Sequence, residues 1–300
     1  MTGAFEDLVG AEGRRVENVG QTVREVANGL KEADAAADRA VASNRELLSA
    51  ADISGAYDPV RLASVRNLPP LDQLELIPQG GGTGNNYLVL HNDQEIGIYK
   101  SRSDGNRIRN EVSAWEADRM LGLDVVPYTR NWLGPYGPGS LQEYVPYNGH
   151  AFDYESVSGQ KMATYDYVMA SGDRHLRNAL NRAAAPGMIA AIDNESILPE
   201  PGPRNMVVMR STFVARNLNK PLDVDLVAHL NSVDPDRFGE RLQFLGHSTA
   251  AAEWAARRLM EVQRGQIAGD AWRCVILDGL QLVYPPGYAN IVEYALNPPA

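Results

Sequence analysis

Three polar residues in the middle of the chain have the types and the spacing that phosphoryl transfer requires. Asp173 is followed five positions later by Asn178, and Asp193 closes the short apolar run of residues 188–192. In this chemistry one carboxylate orients the attacking hydroxyl, while an amide oxygen and a second carboxylate hold Mg²⁺ (or Mn²⁺) on the phosphates of ATP. Kinase catalytic loops separate the first two groups by the same interval. The pattern predicts a kinase with Asp173 as a catalytic residue and Asn178 and Asp193 as metal ligands.

A glycine-rich segment lies upstream, between the strand patterns of residues 74–78 and 87–90. It comprises Gly80, Gly81, Gly82, Thr83 and Gly84. Glycine lets the backbone approach phosphates closely and directs its N–H groups at them. The run lacks the spacing of a Walker motif or a dinucleotide fingerprint, and a flexible hairpin loop is the alternative interpretation. We therefore take it as a candidate nucleotide-binding segment.

Lys100 ends the next strand pattern, residues 95–100, and is the candidate for holding the nucleotide phosphates. On an extended strand Ile96, Ile98 and Lys100 share one face. A lysine that continues an apolar face is expected to reach inward from the sheet. The alternative is a lysine at the end of a strand whose amine extends into solvent.

The helical pattern of residues 107–121 offers two catalytic partners for Lys100, namely Glu111 and Glu116. Five positions apart on a helix, they differ in direction by about 140°, so only one of them faces the lysine. We favour Glu111, which adjoins the apolar stripe of the helix.

Residues 123–128 and 139–145 are the next two extended patterns. The second would connect two lobes and offer backbone groups to an adenine, which makes Glu143 and Val145 candidate nucleotide-binding residues. In the loop of Asp173, the sequence leaves open whether Arg174 and Arg177 line the phosphate region. His175 is interpreted as a packed or hydrogen-bonded loop residue.

Four segments resemble the phosphatidylinositol 3-/4-kinase-like family, chiefly its bacterial and mostly actinobacterial members and, more distantly, HipA-type toxin kinases. They are residues 110–127, 141–145, 172–178 and 192–193. The Asp-Arg-His-x-x-Asn loop and the Glu-Val-x-Ala helix are the most specific pieces, and the match covers roughly residues 74–265.

The resemblance implies an α+β, two-lobed protein-kinase-like fold with a β-rich N-lobe, residues 74–145, and a helical C-lobe, residues 146–300. It also implies that Lys100 contacts the ATP phosphates and pairs with Glu111. Family members often have His or Phe directly after the second metal-binding Asp, whereas Asn194 and Glu195 follow here.

Residues 1–50 form an N-terminal α-helical extension in this interpretation, with an apolar heptad pattern typical of a coiled coil. Three alternatives remain open: a helix that folds back on its own domain, self-association or binding of a partner helix through residues 5–47, and a poorly ordered arm. Proline-rich and glycine-containing patterns predict a linker across residues 51–73.

The composition of the chain limits the classes of binding partner that we expect. The net charge of −10 argues against nonspecific nucleic-acid binding, and no run approaches the roughly 20 apolar residues of a membrane span. One cysteine and no visible signal peptide favour a reducing, cytoplasmic location. A hydroxyl on a protein or small molecule is the expected phosphate acceptor, with protein Ser/Thr preferred to lipid. The alternatives are a catalytically degenerate kinase fold that serves as a binding or assembly module, a lipid kinase, and an AMP-transferring enzyme.

Overall fold

A five-stranded antiparallel sheet forms the first part of the described chain, which in this computed structural model covers residues 59–80, 85–200, 207–268, 274–278 and 281–283. Its strands are β1 (Leu74–Gln79), β2 (Asn85–His91), β3 (Gln94–Ser101), β4 (Thr129–Gly134) and β5 (Gly137–Glu143). They lie in the order β1-β2-β3-β5-β4, so β3 is central and hydrogen-bonded on both edges. Lys100 therefore lies on a strand that is hydrogen-bonded to a neighbouring strand on each side.

A β-bulge in β3 changes one detail of the sequence interpretation. The register between β2 and β3 shifts between Val89 and Leu90, which makes Ile96 the extra residue. Ile96 consequently packs in the same apolar cluster as Tyr99. Lys100, next to Tyr99 in the strand, lies on the opposite face. The prediction that Ile96 shares a face with Lys100 is wrong, because an inserted residue interrupts the alternation.

The segment expected to be a linker, residues 51–73, contains helix α1 (Pro59–Arg66) and a 3₁₀ turn (Leu71–Gln73). Leu62 and Val65 of α1 are buried, and Val65 joins the apolar cluster of the sheet. A helix this short gains most of its stability from tertiary packing, which a local pattern does not reveal. The linker prediction is corrected for this part of the segment, and the predicted extension of residues 1–50 lies outside the described residues.

Helix α2 (Gly105–Leu121) lies between β3 and β4 along the chain and carries Glu111. Asp104 caps its N-terminus by accepting a hydrogen bond from the backbone N–H of Asn106. Gly122 ends it in the left-handed conformation, with φ of 63°. These two local signals explain why the helix predicted over residues 107–121 is present with closely similar bounds.

Residues 123–128, predicted to be extended, are not a strand, and β4 begins at Thr129. The buried Asp118 accepts hydrogen bonds from the backbone N–H groups of Val125 and Val126, at 3.2 and 3.0 Å. These donors are therefore used by a side chain instead of a neighbouring strand. Burial raises the pKa of Asp118 to about 7, although the two backbone hydrogen bonds act in the opposite direction.

Helices dominate the chain after residue 150. They are α3 (Val157–Met169), α4 (Thr212–Asn217), α5 (Val224–Leu230), α6 (Pro235–Phe244) and α7 (Thr249–Val262). The apolar spacing of residues 222–230, 237–245 and 250–263 predicts three helices, which are confirmed as α5, α6 and α7. Helix α3 is buried along its whole C-terminal half, which places it inside the largest apolar core.

Two small sheets complete the described chain. Strands β6 (Ala179–Asn181) and β7 (Ile189–Ala191) form an antiparallel pair. Strands β8 (Val207–Arg210), β9 (Cys274–Asp278) and β10 (Gln281–Val283) form the other sheet, in which β8 and β9 are parallel. The fold is thus α+β, with an antiparallel sheet preceding a mainly helical part. Among the described residues, no helix combines the length and apolar character that crossing a membrane requires.

Candidate active site

Lys100 brings together two of the predicted site carboxylates. Its Nζ donates hydrogen bonds to Glu111 and, over 3.0 Å, to Oδ1 of Asp193. The side chains of Lys100 and Glu111 are only 6% and 1% exposed. Burial acts to lower the pKa of Lys100, but the charges of the two carboxylates outweigh burial and raise it. A permanent positive charge is therefore fixed between α2 and the loop of Asp193.

Glu111, the partner that the sequence favours, faces the lysine, and Glu116 does not. Glu116 accepts a hydrogen bond from Nη2 of Arg241 on α6, over 3.2 Å. The two glutamates thus point to different neighbours, as their separation around the helix predicts.

Asp193 follows β7 and combines a fixed position with solvent access. Its backbone is left-handed, with φ of 57°, and its side chain is 44% exposed. Burial acts to raise the pKa of Asp193, but the charge and the hydrogen bond of Lys100 outweigh burial and lower it. Asp193 is therefore an ionised carboxylate that a ligand from solvent can reach.

Asp173 lies on the loop after α3, where the chain leaves the helix through the left-handed Ala170. The loop is held by backbone hydrogen bonds from Gly172 to Ser196, at 2.7 Å, and from Arg210 to Ser171, at 2.9 Å. The Asp173 side chain is 41% exposed, and Nη1 of Arg210 donates to its Oδ1 over 3.3 Å. The carboxylate is thus positioned by the loop and open to solvent.

Asn178 is connected to both predicted aspartates. Its Nδ2 donates to the backbone oxygen of Asp173, over 2.9 Å, and its own backbone oxygen accepts from the N–H of Ile192, next to Asp193. Since the amide nitrogen is the donor, the amide oxygen is the atom suited to a cation. An amide oxygen and an ionised carboxylate are ligands that Mg²⁺ and Mn²⁺ prefer, so the residues present fit such an ion.

Arg174 is the organising residue that the sequence interpretation missed. Its guanidinium donates from Nε to Asp166 over 3.0 Å, and from Nη1 to the backbone oxygens of Asn178 and Ile192 over 2.6 and 2.5 Å. Nη2 donates to the side-chain oxygen of Asn194. Arg174 therefore ties the loop of Asn178 to the loop after β7 and does not line a phosphate region. Only the apolar neighbourhood of α3 hinted at burial.

His175 and Arg177 take different places in the same loop. Nδ1 of His175 accepts the backbone N–H of Arg177 over 3.2 Å, and so caps the 3₁₀ turn Leu176–Asn178. This agrees with a hydrogen-bonded loop histidine. Arg177 is exposed.

Val145 contributes to a small apolar cluster that leads toward Asp193. It packs with Leu180 and Ala190, and Ile192 packs against them. The neighbouring Glu143 pairs with Gly97 of β3, and its N–H donates to the backbone oxygen of Tyr128, just before β4, over 2.8 Å. The cluster joins the chain just after β5 to Ile192, next to Asp193, and the binding of an adenine by Glu143 and Val145 stays a prediction.

The predicted glycine-rich segment lies largely outside the described residues. Gly80 is described and exposed, and a Cβ added to it would meet no atom within 4 Å. Gly81, Gly82, Thr83 and Gly84 lie outside the described part. Their role in binding phosphate stays a prediction.

A third carboxylate joins Glu111 and Asp193. One oxygen from each of these two and from Glu195 lie within 4.8 Å of one another. Each is compensated by a cation: Lys100 serves the first two, and Arg102 donates to Glu195 over 2.5 Å. The trio is therefore part of an alternating network of charges.

Likeness to known proteins is found among solved structures. No family model and no curated protein matches the chain. Among solved structures, the chain is similar to the Helicobacter pylori proinflammatory kinase CtkA at 15% sequence identity and a TM-score of 0.37, with 65% of this chain and 93% of that chain covered.

Proposed function

We propose that the protein is a Mg-ATP-dependent kinase that transfers the γ-phosphoryl group to a hydroxyl acceptor. The observation that carries the proposal is the contact of one buried lysine, Lys100, with both Glu111 and Asp193. Lys100 and Asp193 are 93 positions apart along the chain, and the three residues come from three different parts of the fold. A buried cation held by two carboxylates is suited to a phosphate group, because the carboxylates fix its position and keep it charged.

Each predicted residue has a task in this mechanism. Lys100, oriented by Glu111, binds phosphate oxygens, and the apolar cluster beside Val145 receives the base. Asp173 accepts the hydrogen bond of the acceptor hydroxyl and holds it in line for attack. Asn178 and Asp193 hold Mg²⁺, which neutralises charge on the phosphates when it is bound.

The finer assignments rest on residue chemistry. The motifs of the Asp173 loop and of α2 support membership of the phosphatidylinositol 3-/4-kinase-like family. A protein Ser/Thr acceptor is proposed because the chain is acidic, with a net charge of −10, which disfavours docking to anionic lipid. Asp173 and Asn178 have the kinase spacing, which supports phosphoryl transfer. AMP transfer by the same fold is the alternative, and it differs in the direction in which the nucleotide lies.

The first test uses Asp193→Asn, which removes a negative charge with little change in shape. We expect phosphate transfer from labelled ATP to an acceptor, or to the protein itself, to be abolished, while circular dichroism stays that of the wild type. Asp225→Asn on the exposed start of α5 is the matched control and should transfer normally. Wild-type transfer by Asp193→Asn would contradict the metal assignment.

Two measurements separate the rival functions. Intact-mass analysis distinguishes a gain of one phosphoryl group from a gain of one adenylyl group. A thermal-shift titration with ATP and Mg²⁺ or Mn²⁺ should raise the unfolding midpoint if the cleft binds nucleotide. No shift in the wild type would favour a degenerate fold that serves as a binding module.

A further inference from the structure

Glu195, two positions after Asp193, connects the Asp193 loop to β3 and α2. Its carboxylate accepts hydrogen bonds from Nε of Arg102 over 2.5 Å and from Nη1 of Arg107 over 3.3 Å. Arg102 directly follows β3, and Arg107 lies in the first turn of α2. One carboxylate therefore links the loop to the two elements that carry the catalytic lysine and its glutamate.

The connection is reinforced from the backbone. Nδ2 of Asn110 on α2 donates to the backbone oxygen of Glu195 over 2.7 Å and to that of Ile197 over 3.3 Å. Arg102 is itself anchored, because its Nη2 donates to Oδ1 of Asn86 at the start of β2 over 2.9 Å. The Glu195 side chain, only 11% exposed, is thus held by an anchored arginine, and its backbone oxygen is held by Asn110.

Asn194 secures the other side of the same loop. Its side-chain oxygen accepts from the buried guanidinium of Arg174, and its Nδ2 donates to the backbone oxygen of Ala191 over 3.2 Å. The two residues after Asp193 therefore bind in opposite directions. Asn194 binds toward the helical part of the chain, and Glu195 binds toward the sheet and α2.

This double attachment accounts for the backbone of Asp193. A non-glycine residue with φ of 57° adopts a conformation that is unfavourable by itself and persists only where the surroundings determine it. The hydrogen bonds of Asn194 and Glu195 restrain the backbone of Asp193 in this conformation from its C-terminal side.

We propose that Glu195 is a positioning residue that holds Asp193 in its metal-binding conformation and fixes the position of the Asp193 loop relative to Lys100. The inference rests on the proposed kinase function. Glu195 is assigned this task, and not that of a metal ligand, because its carboxylate is already neutralised by Arg102 and Arg107. A cation at the same oxygens would be repelled by two guanidinium groups.

The test measures Mn²⁺ affinity, by electron paramagnetic resonance, in the presence of a non-hydrolysable ATP analogue. Glu195→Gln keeps the size of the side chain and removes its charge. We expect Mn²⁺ affinity to fall about 10–100-fold, as is typical when a residue that orients a metal ligand is changed. The affinity for the analogue without metal should be unchanged, and Glu195→Asp, which retains the charge, should recover part of the loss.

Glu155→Gln is the matched control, because it removes the same charge from an exposed ion pair with Lys220, 2.6 Å long. It should bind Mn²⁺ as the wild type does. Unchanged Mn²⁺ affinity in Glu195→Gln overturns the inference alone, as does an equal loss of metal-free analogue affinity, which would indicate general damage to the cleft. A wild-type protein that binds neither the analogue nor Mn²⁺ overturns the proposed function and the inference together.

Discussion

Replacing Arg174 with methionine tests whether one buried guanidinium holds the candidate site together. The side chains of Arg174 and Asp166 are both 0% exposed and form an ion pair of 3.0 Å. Methionine has a similar length and cannot donate to Asp166, Asn178, Ile192 or Asn194. The variant therefore leaves a buried carboxylate whose remaining side-chain hydrogen bonds come from Ser211 and Ser171.

The expected cost is about 3–5 kcal/mol of unfolding free energy, which is typical for removing one partner of a buried ion pair. For a domain of this size, that corresponds to a fall of the unfolding midpoint on the order of 10 °C. Replacing both partners, in Arg174→Met with Asp166→Asn, should recover much of the loss, because no unpaired charge then remains buried.

Urea unfolding followed by circular dichroism measures these changes, with the slope of the transition checked for constancy. Arg237→Met is the control, since Arg237 is 84% exposed and lies 3.8 Å from Asp234. That change should cost no more than about 0.5 kcal/mol. If Arg174→Met unfolds at the same urea concentration as the control, or if the double variant gains nothing over the single one, the reasoning is refuted.

Two further changes test the supports of the site. In Gly139→Ala, the added Cβ would lie 2.2 Å from the backbone oxygen of Lys100, so β3 must shift. We therefore expect lower stability and weaker binding of an ATP analogue. Gly105→Ala is the control, because its Cβ would have no atom within 4 Å, and it should leave both properties unchanged. Asp118 has a pKa of about 7 in the folded protein, against an ordinary value of 3.8. Between these pH values the folded protein binds one proton that the unfolded chain does not. The contribution of Asp118 to the unfolding free energy therefore falls as the pH rises from about 4 to 7. Asp118→Asn should remove that decline, and stability curves of wild type and variant that stay parallel between pH 5 and pH 8 would contradict it.

Much of the candidate site could be predicted from local spacing. The interval between Asp173 and Asn178, and a lysine ending a strand before a helix with Glu111, are properties of neighbouring residues. The bounds of α2 are equally local, since Asp104 and Gly122 cap it with their own backbone and side-chain chemistry. Periodicity likewise identified the helices near the C-terminal end of the described chain.

The errors arose where distant residues decide the outcome. The short α1 is held by burial of Leu62 and Val65, which a proline-flanked pattern does not indicate. The segment before β4 does not pair as a strand, because the N–H groups of Val125 and Val126 donate to the Asp118 side chain. The face taken by Ile96 depends on a bulge that exists only where β2 and β3 pair.

The sequence alone determined which chemical groups are available and which elements carry them, because residue type and periodicity act over a few positions. Only the tertiary structure decided that Arg174 joins the two loops and that Glu195 ties the Asp193 loop to Arg102, across 93 positions. An arginine and a glutamate are ordinarily surface residues, and nothing in their spacing distinguishes a buried pair from a solvated one. The folded chain makes the distinction, because burial removes water and leaves each charge to its protein partner.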